Sequence, residues 1–319
     1  MKLRWIVVAA VSLLTPIAAF AQQYPVKPVR MLIPWPPGGA NDIVGRVMAQ
    51  RLTEQFGQQV IVENRGGASG VVGSELVAKG PADGYTVMVH SATHVANPHL
   101  YKKLSYDTLK DFIGVTPLAV QVGMLVVHPS LPVKSVKEFI ALGKARPGQI
   151  TYASSGSGSF VHLSMALLNA MTSTNMIHVP FKGGGPAAIA LASGEVQAMS
   201  ATIGSLIPHL ESKRVRPLGV TSAKRVSQFP DVPAIGESVP GFEFVAWVGA
   251  FVAAGTPRPI VDRINAEFRK ALANPDTIKV LGAQTLDPMP MSPDEFAKLL
   301  KTDYDKYEKV IKLSGAKLD

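Results

Sequence analysis

The 319 residues contain no cysteine. That excludes disulfide frameworks, thiol nucleophiles, thiolate zinc sites and the cysteine of a lipid-anchored precursor. Aromatic residues are few, at 7%. Nowhere do they alternate with clustered Lys and Arg, as a nucleic-acid groove requires. The excess of basic residues, +9 overall, is spread along the chain. Its densest cluster, Lys213, Arg214 and Arg216, reads as a solvated helix end. After residue 21 no run of 18 apolar residues escapes a charge or a break, so no later spanning helix is expected. Charged residues make up 17% and hydrophobic ones 47%, which excludes a disordered chain and supplies buried cores. At this length two domains or one large one are expected.

The N-terminus carries Lys2 and Arg4, then an apolar stretch from Trp5 to Phe20, and then Ala19-Phe20-Ala21 before polar Gln22-Gln23. This is the pattern of a secretory signal peptide over residues 1–21, cleaved after Ala21, too short and wrongly flanked to span a membrane. The mature chain is expected outside the cytoplasm. Removing Lys2 and Arg4 lowers the charge from +9 to +7.

The mature chain alternates apolar runs with helical periodicity. Val29–Pro34 predicts a strand, followed by a helix through Phe56 that Asn41 or Asp42 caps and Gly57 ends. Val60–Val62, Val71–Lys79 and Tyr85–Val89 continue as strand, helix, strand. A second unit repeats the scheme. A capping box at Ser135–Glu138 opens a helix ending near Gly148, and a strand follows at Ile150–Ala153. Helix Phe160–Met171, strand Ile177–Val179, a helix from Pro186 to Gly194, and strands Val196–Met199 and Pro217–Val220 complete it. Helices over Pro259–Ala273 and from Ser292 to Leu313 form the tail, with Gly315 as a stop. Such alternation implies parallel sheets covered by helices. Two long apolar stretches, Val115–Val127 and Phe244–Ala254, lie where a chain would cross into a second domain and return.

Three glycine-rich loops sit between a strand and a helix: Pro34–Asp42, Ser154–Ser159 and Lys182–Pro186. In open α/β sheets ligands bind at the carboxyl ends of strands, and helix N-termini there favour an anion. Single βα turns also need glycine; two or three in equivalent places argue for a pincer. Enzyme signatures are missing. There is no nucleophile elbow, no phosphate loop, no G-x-G-x-x-G after a strand and no H-E-x-x-H. His90, His94 and His99 have loose metal-like spacing, but no carboxylate is interleaved, and a polar loop lining a cleft is the better reading. His162, one turn into its helix, either faces a ligand or is packed; the sequence leaves both open. A secreted hydrolase using Ser155 or Ser157 with His162 would need a third group to hold the base, and none is predicted.

Several ordered blocks together resemble the Bug-type substrate-binding proteins of tripartite tricarboxylate transporters. They include Pro34-Trp35-Pro36-Pro37-Gly38-Gly39-Ala40-Asn41-Asp42, Val62–Ala68, Ala82–Thr86 and Asn97–Tyr101. In the second unit they include Tyr152–Ser159 with His162-Leu163, His178–Gly183, Pro186-Ala187 and Gly194–Val196. The resemblance implies an α/β fold, the type II periplasmic binding protein, with two doubly wound lobes joined by crossing strands. Residues 22–121 and 245–319 would form lobe 1, and 122–244 lobe 2. It further implies a monomeric periplasmic receptor without cofactor or metal, which captures a small carboxylate and delivers it to membrane permease subunits. Presentation of the ligand to a sensor in the membrane is the alternative. Carried over by position, the ligand contacts are Trp35, Pro37, Gly38, Gly39, Ala40, Asn41 and Asp42, with His90, Ser91 and Thr93 as a wall. From the second lobe come Ser154, Ser155, Gly156, Gly158, Ser159, Phe160 and His162, with Lys182 and Gly183 nearby. Trp35, Phe160 and Phe181 depart from the family's usual residues, and Ala190 stands where many relatives carry aspartate. These aromatics either pack inside the lobes or wall a pocket for an aromatic or long dicarboxylate such as terephthalate.

Overall fold

The computed structural model describes residues 24–314. The signal peptide and the Gly315 stop lie outside them. The first sheet has six strands in the order β11-β4-β10-β3-β1-β2. They are β1 (Val29–Ile33), β2 (Val60–Asn64), β3 (Thr86–Ser91), β4 (Phe112–Gln121), β10 (Ala246–Ala253) and β11 (Leu286–Pro288). The second sheet has five, in the order β7-β6-β8-β5-β9. These are β5 (Gly123–Val127), β6 (Thr151–Ser154), β7 (Ile177–Pro180), β8 (Ala198–Thr202) and β9 (Arg216–Val220).

Each sheet is parallel only over the strands that alternate with helices. β1 pairs in parallel with β2 and β3, and β6 with β7 and β8. The remaining pairings are antiparallel: β10 against β3 and β4, β11 against β4, and β5 against β8 and β9. Both sheets are thus mixed, a departure from the parallel expectation, because β5 and β10 enter from the other lobe and not through a helical crossover, while the short β11 folds back along β4. The apolar stretch Val115–Val127 is cut in two. β4 ends at Gln121, β5 starts at Gly123, and the single residue Val122 carries the chain from one sheet to the other.

Helix α1 (Ala40–Phe56) packs on β1, where a Cβ on Gly45 would stand 2.5 Å from Ile33 Cδ1. Its N-cap is Gly39, with Asn41 and Asp42 already in the first turn. The sequence suggested those two as caps because a polar pair usually precedes the first turn. Here the chain turns earlier, at the glycines. α2 (Val71–Ala78) follows β2. The segment after β3, expected as a polar loop, is helix α3 (Thr93–Leu100); its residues His94, Val95 and Ala96 are buried. α4 (Val136–Ala145) starts at the Ser135 cap, whose Oγ accepts from the Glu138 N–H at 3.2 Å. α5 (Phe160–Thr172) follows β6, and α6 (Gly184–Ala192) starts two residues before Pro186. β8 starts two residues and ends three residues beyond the expected strand, and α7 (Ile203–Glu211), which Pro208 obscures in the sequence, follows it directly. α8 (Arg258–Leu272), α9 (Pro275–Gly282) and α10 (Pro293–Ser314) complete the chain. α10 lies against α3 of the first unit and α5 of the second. Phe244 joins these parts, stacking on Phe160 at 5.4 Å and meeting Tyr307 edge-on.

Candidate ligand-binding site

Five helices begin on one cavity between the sheets. α1 brings Gly39, Ala40 and Asn41; Ser91 and Thr93 flank the start of α3; and Ser159, Phe160 and Val161 start α5. Gly183 and Gly184 start α6, and Thr202 and Ser205 lie at the start of α7. Trp35, Pro36, Ser155, Met199, Ala201 and Gln121 complete the wall. No Asp, Glu, Lys or Arg lines it. Each helix start leaves N–H groups outside its own ladder and carries the positive end of the helix dipole. The wall is therefore uncharged yet electropositive, and a desolvated anion is the species it suits. Asn41 and Gln121 are buried, and among the described residues Asn41 Oδ1 and Gln121 Oε1 have no partner.

The cavity offers about 50 Å³ of water-accessible space. That is room for a few water molecules, or a carboxylate-sized group, at 10–15 Å³ or more per water. It adjoins a groove of about 630 Å³ that shares Trp35, Pro36, Ser155 and Gly183 with it. Tyr101, Phe181, Lys182 and the strap Gly66–Gly70 form much of the rest of the groove. The strap reaches across the two halves, with the Ser69 hydroxyl donating to the Ser157 carbonyl.

The structure divides the residues expected at the site. Trp35, Gly39, Ala40, Asn41, Ser91, Thr93, Ser155, Ser159, Phe160 and Gly183 lie on the cavity wall. Pro37, Gly156 and Lys182 lie on the groove. Gly38, Asp42, His90, Ser154, Gly158 and His162 line neither space and stand behind it. Not foreseen were Pro36, Gln121, Val161, Gly184, Met199, Ala201, Thr202 and Ser205. Gln121 had a signal: it is the one amide inside the apolar run Val115–Val127. The α7 pair had little, because Thr202–Ser205 carries no capping box.

The residues behind the wall hold the loops. Asp42 Oδ2 accepts from the Gly38 N–H at 3.0 Å, and both carboxylate oxygens meet Arg46 Nε at 3.0 Å. Asn64 Nδ2 donates to Asp42 Oδ1 at 2.9 Å and to the Trp35 carbonyl at 3.0 Å. Burial pushes the Asp42 carboxyl up, but the bonds from Arg46, Gly38 and Asn64 outweigh it and leave it below the usual range. Trp35 Nε1 donates to His90 Nδ1 at 3.1 Å. His94 is enclosed by Tyr106, Phe112 and Phe251, and burial lowers its pKa to about 3. His90 falls well below its ordinary value, through burial first and His94 second.

In the second loop Gly158 N–H donates to His162 Nδ1 at 3.0 Å, and Gly156 N–H donates to Ser154 Oγ at 3.2 Å. Ser154 Oγ also meets His178 Nε2 at 2.6 Å. Among the described residues no carboxylate is paired with either ring, so a nucleophile, base and orienting acid are not assembled there. Phe160 packs on Phe244 and also reaches the cavity; Phe181 lies on the groove.

Two α/β lobes with strand-to-helix turns facing a cavity between them define a periplasmic solute-binding protein. Solved structures share the whole architecture. The R. palustris protein Rpa4515, solved with adipate, is 34% identical, has a TM-score of 0.90 and aligns over 92% of this chain and 100% of its own. MatC from Rhodopseudomonas palustris, with bound malate, is 32% identical with a TM-score of 0.85, over 90% of this chain and 100% of its own. BugT of Bordetella pertussis is 32% identical over 98% of this chain and 96% of its own. The model of the tripartite tricarboxylate transporter family receptor matches residues 44–316. The chain belongs to that family.

Proposed function

We propose that this protein is a periplasmic receptor that closes on a small carboxylate and delivers it to the membrane subunits of a tripartite tricarboxylate permease, without catalysis. The observation that carries the reading is the convergence of five helix N-termini on an uncharged cavity. Relatives solved with adipate and malate support a dicarboxylate. The space narrows the class further. One carboxylate fits the small cavity, and the remainder of the ligand runs past Trp35 and Pro36 into the groove. Trp35, Tyr101 and Phe181 offer that remainder aromatic faces, and Lys182 offers a second anionic group a cation. An elongated or aromatic dicarboxylate, adipate or terephthalate in type, is the ligand this shape suits. The signal peptide is cleaved after Ala21, the lobes divide at 122–244, and the mature protein acts as a monomer.

Thermal-shift titration of the mature protein against adipate, terephthalate, malate and citrate tests the reading. A ligand at 100 times its dissociation constant stabilises by about 2.7 kcal/mol. No shift with any carboxylate refutes the receptor reading. A shift with malate or citrate that exceeds those of adipate and terephthalate refutes the elongated class alone.

A further inference from the structure

The sequence leaves His162 open between touching a ligand and packing in the core; the structure gives it a third position. Its ring lies face to face with that of His178, the centroids 3.8 Å apart and the planes 18° from parallel. Tyr152 stacks against both, at 6.4 Å from His162 and 5.2 Å from His178. Neither imidazole lines the cavity or the groove. Each instead reaches the loop between β6 and α5. His162 does so directly, accepting the Gly158 N–H at Nδ1. His178 does so through Ser154, whose hydroxyl oxygen also takes the Gly156 N–H. Both glycines hold positive φ, +128° at Gly156 and +80° at Gly158, a conformation open to glycine but costly in backbone freedom to fix, and bonds from behind offset that cost.

An Nδ1 that accepts an N–H carries no proton, so His162 is neutral with its proton on Nε2. His178, partly buried and stacked 3.8 Å from that uncharged ring, would lose solvation on gaining a charge, so it too is held neutral. The loop they hold presents Ser155 and Ser159 to the cavity.

We propose that His162 and His178 form a stacked, uncharged positioning pair that fixes the second ligand-facing loop from behind, without touching ligand. The part of the inference that concerns affinity rests on the receptor reading; the part that concerns the loop does not.

The test uses amide hydrogen exchange by NMR on the ligand-free mature protein, together with adipate titration. His162→Leu removes the acceptor, whereas His162→Asn returns an oxygen close to the place of Nδ1. The Gly158 amide is expected to exchange about tenfold faster or more in His162→Leu and to regain its protection in His162→Asn. Ser154→Ala is expected to release the Gly156 amide and leave Gly158 protected. Adipate affinity is expected to fall about tenfold in His162→Leu and to return to within about threefold in His162→Asn. Equal Gly158 exchange in wild type and both His162 variants overturns the pair as a clamp. Faster exchange with unchanged adipate affinity overturns its bearing on binding. If wild type itself ignores adipate, the receptor reading is what suffers, and the exchange data still decide the clamp. Should His162→Leu fail to fold, His178→Phe, which keeps a ring in the stack and removes the bond to Ser154, decides it: faster Gly156 exchange supports the pair, and unchanged Gly156 exchange overturns it.

Discussion

The two loops that face each other across the cavity do the same work with different chemistry. The Gly38–Asp42 loop is held by a carboxylate: Asp42 ties the Gly38 N–H, Arg46 and Asn64 into one network. The Ser154–Ser159 loop is held by neutral rings and a hydroxyl. Both leave N–H groups at the start of a helix turned to the cavity. The lesson is that an anion site can be built twice without placing a cation at the anion, and that the supports behind it decide how each half answers to pH, salt and mutation.

The largest expected effect separates the wall from its support. Gly39 has φ −91°, and a Cβ there meets no atom within 4 Å, so Gly39→Val should fold with a stability change under about 1 kcal/mol. Its side chain enters the cavity, and calorimetry should show carboxylate affinity reduced about 100-fold or more, about 2.7 kcal/mol. Gly38→Val should do the reverse. Its φ of +89° makes any side chain strained, at about 1–2 kcal/mol by chemical denaturation. If both variants behaved alike, wall and support would not be separate.

Next comes the carboxylate itself. Asp42→Ala strands the Gly38 N–H and the Asn64 amide and should cost about 2–3 kcal/mol in urea unfolding. Ser154→Ala, in the neutral loop, should cost about 1 kcal/mol. A larger loss for Ser154→Ala would invert the comparison.

The two loops should also part company in acid. Burial lowers His162 to about 3, helped by the neighbouring His178, and lowers His178 to about 4. Unfolded, each takes up a proton near pH 6.5, so the unfolded state binds more protons and stability falls as pH drops from about 6.5 toward those lowered values. Asp42 is depressed, so its contribution is complete above its unfolded value near 4 and is lost only as pH falls through its folded value. Between pH 6.5 and 4.5 the unfolding free energy should therefore decline, through buried histidines including His90 and His94. A double variant, His162→Asn with His178→Gln, should flatten part of that slope, and an unchanged slope would remove the pair from the account. The smallest effect is expected from Arg46→Gln: Arg46 is half exposed, so about 0.5 kcal/mol, shrinking with added salt.

The strand-helix alternation, the Ser135 cap, the Ser292 capping box and the glycine loops were legible in the sequence because each rests on local spacing; at Ser135 the box is half formed, since Glu138 accepts from the Lys134 N–H at 2.6 Å and not from Ser135. Ser292 and Glu295 form their box reciprocally, the Ser292 N–H donating to Glu295 at 2.8 Å and the Glu295 N–H donating to Ser292 Oγ at 3.3 Å. Strand direction was not legible, since an apolar run such as Phe244–Ala254 reads the same whether its partner is parallel or antiparallel. α3 was hidden by its polar composition, because His94 and Asn97 are buried there by tertiary packing against local preference. At the site, the residues on the wall came largely from loop glycines and serines. His162, His90 and Asp42 sit beside those residues in sequence but one layer back in space, and adjacency in sequence does not distinguish the two layers. Gln121, Met199 and Thr202 reach the wall from strands far along the chain, which only the sheet order brings together.

The single-residue crossing at Val122 places the cavity at a pivot. Gln121 and Thr202 lie within a residue or two of the crossing in register, Thr202 pairing with Gly123. Points near an axle hardly travel when a wheel turns, whereas the rim sweeps far. A rotation of one sheet against the other about that crossing would leave the floor of the cavity almost stationary and would swing Ser69 and Ser157, which bridge the two halves, apart. In such a motion a solute would meet a finished floor first and wait for the rim.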